Sequence, residues 1–222
     1  MLTNLSKVNI WINMKKYPIE EVKKIIIGEN KMTIKKPFKN SLITQGFGKD
    51  KTSPNLLPFY QSIGLLGHNG FDFTANFKEP VYWDCDTFGK VQNTEIDNKG
   101  GLGVNVITED KDGVFKHRFW HLESFACQAG QILQAGDLIG YADSTGWSTG
   151  NHLHRDLKEQ IKDSFGSLQN KFPDNGYKGA VDITPYYDNI FILDWVKLKK
   201  QLDILQQAVA IAKKLWDLLN RR

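Results

Sequence analysis

Four of the five histidines fall in short words whose spacing can do chemistry. In the word GHNGFDF, His68 and Asp72 stand four residues apart. On a loop that runs into a strand, that spacing lets an imidazole and a carboxylate converge on one point. In the word NHLHRDL, His152 and His154 stand two apart, so in a strand both face the same side. Two imidazoles left unpaired on one buried face are costly. They suit metal ligation, or ligation by one and proton handling by the other. The fourth is His121, in the word RFWHLES. Zinc accepts imidazole nitrogen and carboxylate oxygen at similar range, and a catalytic site uses three protein ligands with one position left for water. His68 and Asp72 with one histidine of the 152/154 pair would complete such a set. The remaining histidines would then act on the water and on the developing oxyanion. Residue type and spacing alone do not choose between His152 and His154.

These residues need a scaffold of strands and turns. From Pro37 to about Tyr187 the chain reads as short strands. PVYWDCD and FGKVQNTEI form two of them around a tight connection. VNVITED and VFKHRFWHL form a hairpin across Lys111-Asp112-Gly113, and GQILQAGDLIGYA adds short glycine-punctuated strands. The spacing predicts a mainly β domain, an antiparallel β-sandwich or barrel. Residues 1–36 are polar and lysine-rich, with a short helix predicted after Pro18. Glu20 and Glu21 sit at its positive end, and Gly28 is its stop. Residues 189–222 lack Gly and Pro. Apolar residues recur there at spacings of three and four from Trp195 to Leu219, which predicts a long amphipathic helix. Three segments follow: 1–36, a domain over 37–188, and the helix over 189–222. So much apolar surface on the last helix calls for docking to a second chain or partner, folding back, or lying on a membrane.

Composition narrows the function classes. Hydrophobic residues make up 41% and charged residues 24%, ordinary globular values. The net charge of +4 is too weak to argue for nucleic acid, and no zinc-finger spacing or recognition-helix pattern occurs. Ile190–Arg222 holds five Lys, two Arg and three Asp, so 7 − 3 = +4 and the rest of the chain is near neutral. Cys85 and Cys127 fit no metal spacing and read as free, partly buried thiols, with a single disulfide as the alternative. No stretch approaches the roughly 20 apolar residues of a membrane-spanning helix.

Taken in order, GHNGFDF, RFWHLES, GDLIGYADSTGWSTG and NHLHRDL resemble the lysostaphin/LytM-type zinc metallopeptidases of peptidoglycan. The resemblance runs from about Ile43 to Tyr187. ITQGFG matches the family's opening strand, and NGYKGAVDITPY matches the closing segment of some members. It implies a catalytic domain of the duplicated hybrid motif type and one zinc per chain, held by His68, Asp72 and His154. It implies His121 and His152 as the catalytic pair, and hydrolysis of peptide bonds in cell-wall peptidoglycan, in cross-bridges or stem peptides. Two departures stand out. Arg155 follows the last histidine where an aromatic or aliphatic residue is common; strand parity turns it away from the metal, toward an outer face. Phe119-Trp120 precedes His121 where the family often has Tyr two residues before the histidine. His117 matches nothing in the family; it shares parity with His121 and reads as an exposed strand histidine, with a contact to the ligands or to substrate as the alternative.

The first residues show no apolar run of signal-peptide length. Action at the wall would then follow release on lysis, as for a phage endolysin, delivery on a virion, or export of a longer form since trimmed. Two rival classes fit the sequence less well. A non-catalytic structural or activator relative usually lacks a ligand, and here every position is filled. A biotinyl- or lipoyl-type carrier needs a Lys beside Met at a hairpin tip, and no Met follows Lys36.

Overall fold

The structure, a computed structural model, describes residues 32–38 and 41–187. The helices expected after Pro18 and over 189–222 lie outside the described residues. Within them the domain is mainly antiparallel β, as the alternation of apolar and polar residues implied. Ten strands form one hydrogen-bonded network: β1 (Ile43–Gln45), β2 (Phe71–Thr74), β3 (Pro80–Tyr82), β4 (Gly89–Ile96), β5 (Leu102–Asp110), β6 (Gly113–Phe125), β7 (Ile132–Leu133), β8 (Leu138–Ala142), β9 (His152–Lys162) and β10 (Leu168–Asn170). The main path runs β1-β2-β9-β6-β5-β4-β7, with β10 beside β9 and a β3–β8 pair joined to β6. A six-residue helix, α1 (Leu57–Ser62), sits on the loop between β1 and β2. No helix among the described residues is long and apolar enough to cross a membrane.

The expected β5–β6 hairpin forms with Lys111 and Asp112 at its tip. The Asp110 carboxylate accepts the backbone N–H groups of Asp112 and Gly113 at 2.8 and 3.2 Å, which closes the turn. Period-two alternation then sorts the faces. Phe71 and Phe73 of β2, Phe115 and Phe119 of β6, and Leu153 and Leu157 of β9 all point into one buried core, against Trp83 and Ile139. Met32 and Ile34 join that core, and Ile34 bridges to both Tyr187 and Cys85. Cys85 and Cys127 are both free and buried, and burial pushes their thiols up to about 12 and about 11.

Two expectations are corrected by this packing. Arg155 does not face outward: with Leu153 and Leu157 it points into the core and is fully buried. Its guanidinium donates from Nε and Nη2 to the two oxygens of Asp84 at 3.0 and 3.1 Å, and lies over the Phe119 ring at 4.3 Å. His117 is buried rather than exposed. Its Nδ1 accepts from Arg155 Nη2 at 2.6 Å, so Nε2 carries the proton and donates to Thr108 Oγ1 at 2.9 Å. Burial, then the Arg155 charge, hold His117 well below the usual imidazole range, so it stays neutral. The face opposite the site is the interior of the domain, and an ion pair satisfies the arginine there.

β6 changes partner along its length, and that change positions the site. From Val114 to Trp120 it pairs with β9; from Leu122 to Phe125 it pairs with β8. One extra residue, His121, is accommodated between them, where the β5 register shifts from Gly103↔Trp120 to Leu102↔Leu122. His121 takes a left-handed φ of 66° there. Such a bulge re-aims the side chains around it. Trp120 and His121 both end on the face of His154, while Leu122 returns to the core.

Candidate metal centre and active-site cleft

β2 and β9 bring Asp72 and His154 together. The word Phe71-Asp72-Phe73 buries its two aromatics in the core, so Asp72 must leave on the opposite face. Asp72 pairs directly with His154 across the two strands, and Thr74 pairs with His152. His68 arrives from the loop before β2, clamped at its backbone: its N–H donates to Thr52 Oγ1 at 2.7 Å and its carbonyl accepts from Gly48 at 2.8 Å. Gly70 makes room for the ligand ring. A Cβ there would stand 2.7 Å from His154 Cε1 and 2.7 Å from the Arg155 carbonyl oxygen.

Three ligand atoms converge. His68 Nε2 lies 2.9 Å from His154 Nδ1 and 3.1 Å from Asp72 Oδ1, and His154 Nδ1 lies 3.0 Å from Asp72 Oδ1. A tetrahedral zinc with bonds of about 2.0 Å has ligand-to-ligand edges of about 3.3 Å. The other end of each ligand is occupied. His68 donates its Nδ1–H to the Gly46 carbonyl at 3.0 Å, which leaves Nε2 with a lone pair. His154 turns Nε2 toward Asp156 Oδ2 at 3.4 Å, which leaves Nδ1 for the centre. Asp72 Oδ2 accepts from Gln45 Nε2 at 3.0 Å, which leaves Oδ1.

The electrostatics call for a cation at that point. Burial alone would raise the Asp72 carboxyl, but His68 and the hydrogen bonds from His154 and His68 hold it well below the usual range. Burial would depress His154, but Asp156 and Asp72 outweigh it and lift the imidazole to about 9. Two buried carboxylates thus favour positive charge between them. Three lone pairs, with hydrogen bonds behind His68 and Asp72 and the Asp156 carboxylate 3.4 Å behind His154, form a donor set that would suit zinc.

His121 and His152 face one another beside this centre, rings 4.6 Å apart. His121 donates Nδ1–H to the Thr145 carbonyl at 2.7 Å, and His152 donates Nδ1–H to the Gly150 carbonyl at 2.8 Å. In its neutral form each ring then presents Nε2 as an acceptor. Burial, then the nearby His152 and His154, press His121 down to about 4, so it is neutral at neutral pH. The hydroxyls of Ser144, Thr145 and Ser148 in the 144–150 loop bond within the protein, and Ser148 Oγ also lies 3.3 Å from His152 Nδ1. Thr145 Oγ1 donates to the Leu122 carbonyl at 2.7 Å, and Ser148 Oγ pairs with Ser144 Oγ at 2.8 Å.

A cleft of about 500 Å³ opens over the centre. Phe59 of α1 and Trp147 of the loop meet across its rim with rings 5.2 Å apart. Trp120 lines the wall, under Arg118 at 4.9 Å. Gly103 admits that indole, since a Cβ there would stand 2.7 Å from it. The five residues expected from the sequence are brought together. Gln45, Tyr60 and Asp156 were missed. Asp156 was findable, because it shares strand parity with His152 and His154. Tyr60 had no such signal: it comes from α1, its hydroxyl accepts from Gln45 Nε2 at 2.8 Å, and its ring lies 5.5 Å from that of His68. Burial, then the Asp72 charge, raise its pKa, so the phenol keeps its proton.

Comparison with known proteins agrees with this geometry. Residues 66–164 match the family described as Peptidase family M23. Over 97 residues the chain is 36% identical to the glycyl-glycine endopeptidase ALE-1 of Staphylococcus capitis, covering 44% of this chain and 26% of that protein. Lysostaphin of Staphylococcus simulans is 36% identical over 94 residues, covering 41% of this chain and 18% of its own length. The peptidoglycan DD-endopeptidase ShyB of Vibrio cholerae is 30% identical over 125 residues, covering 56% of this chain and 26% of its own. The matched part spans about a quarter of these relatives or less.

Proposed function

The chain belongs, through residues 66–164, to peptidase family M23, and on that premise we propose that it is a zinc-dependent endopeptidase cutting peptide bonds in bacterial cell-wall peptidoglycan. The observation that carries the proposal is the convergence of His68 Nε2, Asp72 Oδ1 and His154 Nδ1 within 3.1 Å of one another, with a polar partner behind each. These three would hold one zinc. When bound, zinc supplies a Lewis acid that polarises a carbonyl and acidifies water.

The chain's own groups supply the rest. His121 and His152 would present their Nε2 atoms beside the ligands, with their rings 4.6 Å apart. One accepts the proton of the attacking water and then delivers it to the leaving amine as the C–N bond breaks. The Tyr60 phenol, which keeps its proton, donates to the oxygen that gains charge as the carbonyl carbon becomes tetrahedral, joined by the other imidazole once that ring carries a proton on Nε2. Gln45 and Asp156 fix the orientation of Asp72 and His154 throughout. The rim aromatics Phe59 and Trp147 offer flat apolar surface to an extended peptide.

The relatives support a cell-wall substrate, since ALE-1 is named for glycyl-glycine bonds and ShyB for peptidoglycan. We place the site of action at the bacterial wall for the same reason. The test is digestion of purified peptidoglycans of different cross-bridge chemistry, with mass analysis of the fragments and elemental analysis of the protein. One zinc per chain and release of new amino termini are expected, both lost together in Asp72→Ala. Full zinc in that variant, or intact walls after treatment with the parent protein, would reject the proposal.

A further inference from the structure

Past the cleft, the same sheet face continues into a second, polar basin of about 530 Å³ that shares Arg118 with it. Its floor is laid by β6 and β9. Lys116 stands directly opposite Lys158 across that pair, and Arg118 stands opposite Asp156 one pleat nearer the metal centre. Like charges in directly opposed positions destabilise a sheet. Here three cations share one patch, and only two carboxylates answer them. Asp156 lies 3.3 Å from Arg118 Nη1, and Glu95 lies 3.7 Å from Nη2.

The remaining cations are not neutralised. Lys158 is buried, and its ammonium donates to the Lys178 carbonyl at 2.7 Å, which orders it without cancelling its charge. The half-buried Lys116 ammonium makes no hydrogen bond or ion pair with any described residue. Burial and the Arg118 charge lower its pKa, as expected of a cation short of counter-charge. The walls are amides, and they are pre-ordered. Asn105 Nδ2 donates to Asn93 Oδ1 at 3.1 Å and to Glu95 Oε1 at 2.8 Å, while its Oδ1 accepts from Arg118 Nε at 3.2 Å.

We infer that this basin binds a carboxylate of the peptide being cut. It therefore selects an acidic stem-type peptide over an uncharged glycine bridge. The reach sets where that carboxylate lies. Lys158 is four residues along β9 from His154, about 13 Å at about 3.3 Å per residue. An extended peptide leaving the cleft would cover that distance in about four residues. The basin is continuous with the cleft through Arg118, so the anion belongs to the peptide itself and not to a separate ligand. The inference rests on the peptidase assignment above, and the experiment separates the two.

The zinc-loaded full chain is given two peptides that differ only in whether a free carboxylate or its amide stands about four residues from the cleaved bond. Both cleavage kinetics and calorimetric binding are followed. The acid should be preferred by about tenfold in KM and in Kd, the range of one charge-assisted contact. Lys116→Gln should bring that preference close to unity, and Lys116→Arg should keep it. The preference is a ratio, so any general loss of activity in the variant cancels. Equal Kd for acid and amide in the parent protein overturns the basin's role, as does a Lys116→Gln chain that retains the full preference. Binding without cleavage of either peptide would count against the peptidase assignment, while the acid-to-amide binding ratio would still decide the basin.

Discussion

Asp156→Asn tests the logic of the metal centre at a residue that is not a ligand. Asp156 is buried two residues beyond His154 on the same face of β9. Its Oδ2 lies 3.4 Å from His154 Nε2 and 3.3 Å from Arg118 Nη1. Burial alone would raise this carboxyl, but Arg118 and His154 outweigh it and hold it down to about 2, so it is ionised throughout the working pH range. The carboxylate keeps the proton of His154 on Nε2, which frees Nδ1 for the metal and makes it more basic. Asparagine has the same shape and can still accept a hydrogen bond, but it carries no charge. Losing such an outer carboxylate typically costs about 10- to 100-fold in metal affinity. That corresponds to about 1.4–2.7 kcal/mol. Zinc Kd should therefore rise by that factor when measured at neutral pH by competition with a chromophoric chelator. A thermal melt should show the variant folded, since Arg118 retains Asn105 and Glu95. A folded variant with unchanged Kd would refute the orienting role. A loss beyond about a thousandfold would make Asp156 a ligand in its own right and break the three-ligand assignment.

His121→Ala and His152→Ala should each retain zinc by elemental analysis while turnover falls by about a hundredfold to ten-thousandfold. Either variant losing metal as fully as His154→Ala would show that it ligates. Zinc uptake should release a proton, because His154 without metal holds one up to about pH 9. Below that pH the proton competes with the metal, so apparent affinity should fall about tenfold per unit as pH drops from about 8 to about 6. A pH-independent Kd over that range would contradict it. Asp84→Ala strands the buried Arg155 charge, which typically costs about 3–5 kcal/mol. For a chain of this size that is a fall in Tm of roughly 10 °C. A melt within about 2 °C of the parent would mean that the pair contributes little.

Much of the site was legible from local pattern. The four-residue step from His68 to Asp72 and the Phe-Asp-Phe alternation put the carboxylate on the face away from the core. The His-Leu-His alternation put two imidazoles on one face of β9, and the turn at Lys111-Asp112 set the hairpin that carries His121. These are local rules, and a strand obeys them whatever its partner. Parity also turned Arg155 away from the metal; what lay on that other side was decided by Asp84, from the segment after β3, and His117, from the neighbouring strand β6. Parity failed at His121, which by counting shares a face with His117. The two point to opposite faces, because β6 exchanges β9 for β8 at that residue and takes up one extra residue with φ of 66°. No local signal announces the exchange, since it depends on where Asp143 and His152 meet across the sheet. The same holds for Gln45 and for Tyr60, whose spacings from the ligands follow no strand or helix period and which reach them only through the loop and helix that β1 and β2 close. Sequence by itself singled out the side chains that could hold a metal, leaving His152 and His154 undecided, and gave the strand face of those on β2 and β9. Tertiary structure alone decided which of them meet, because a bulge and a change of strand partner are set by contacts between segments that no periodicity along the chain encodes.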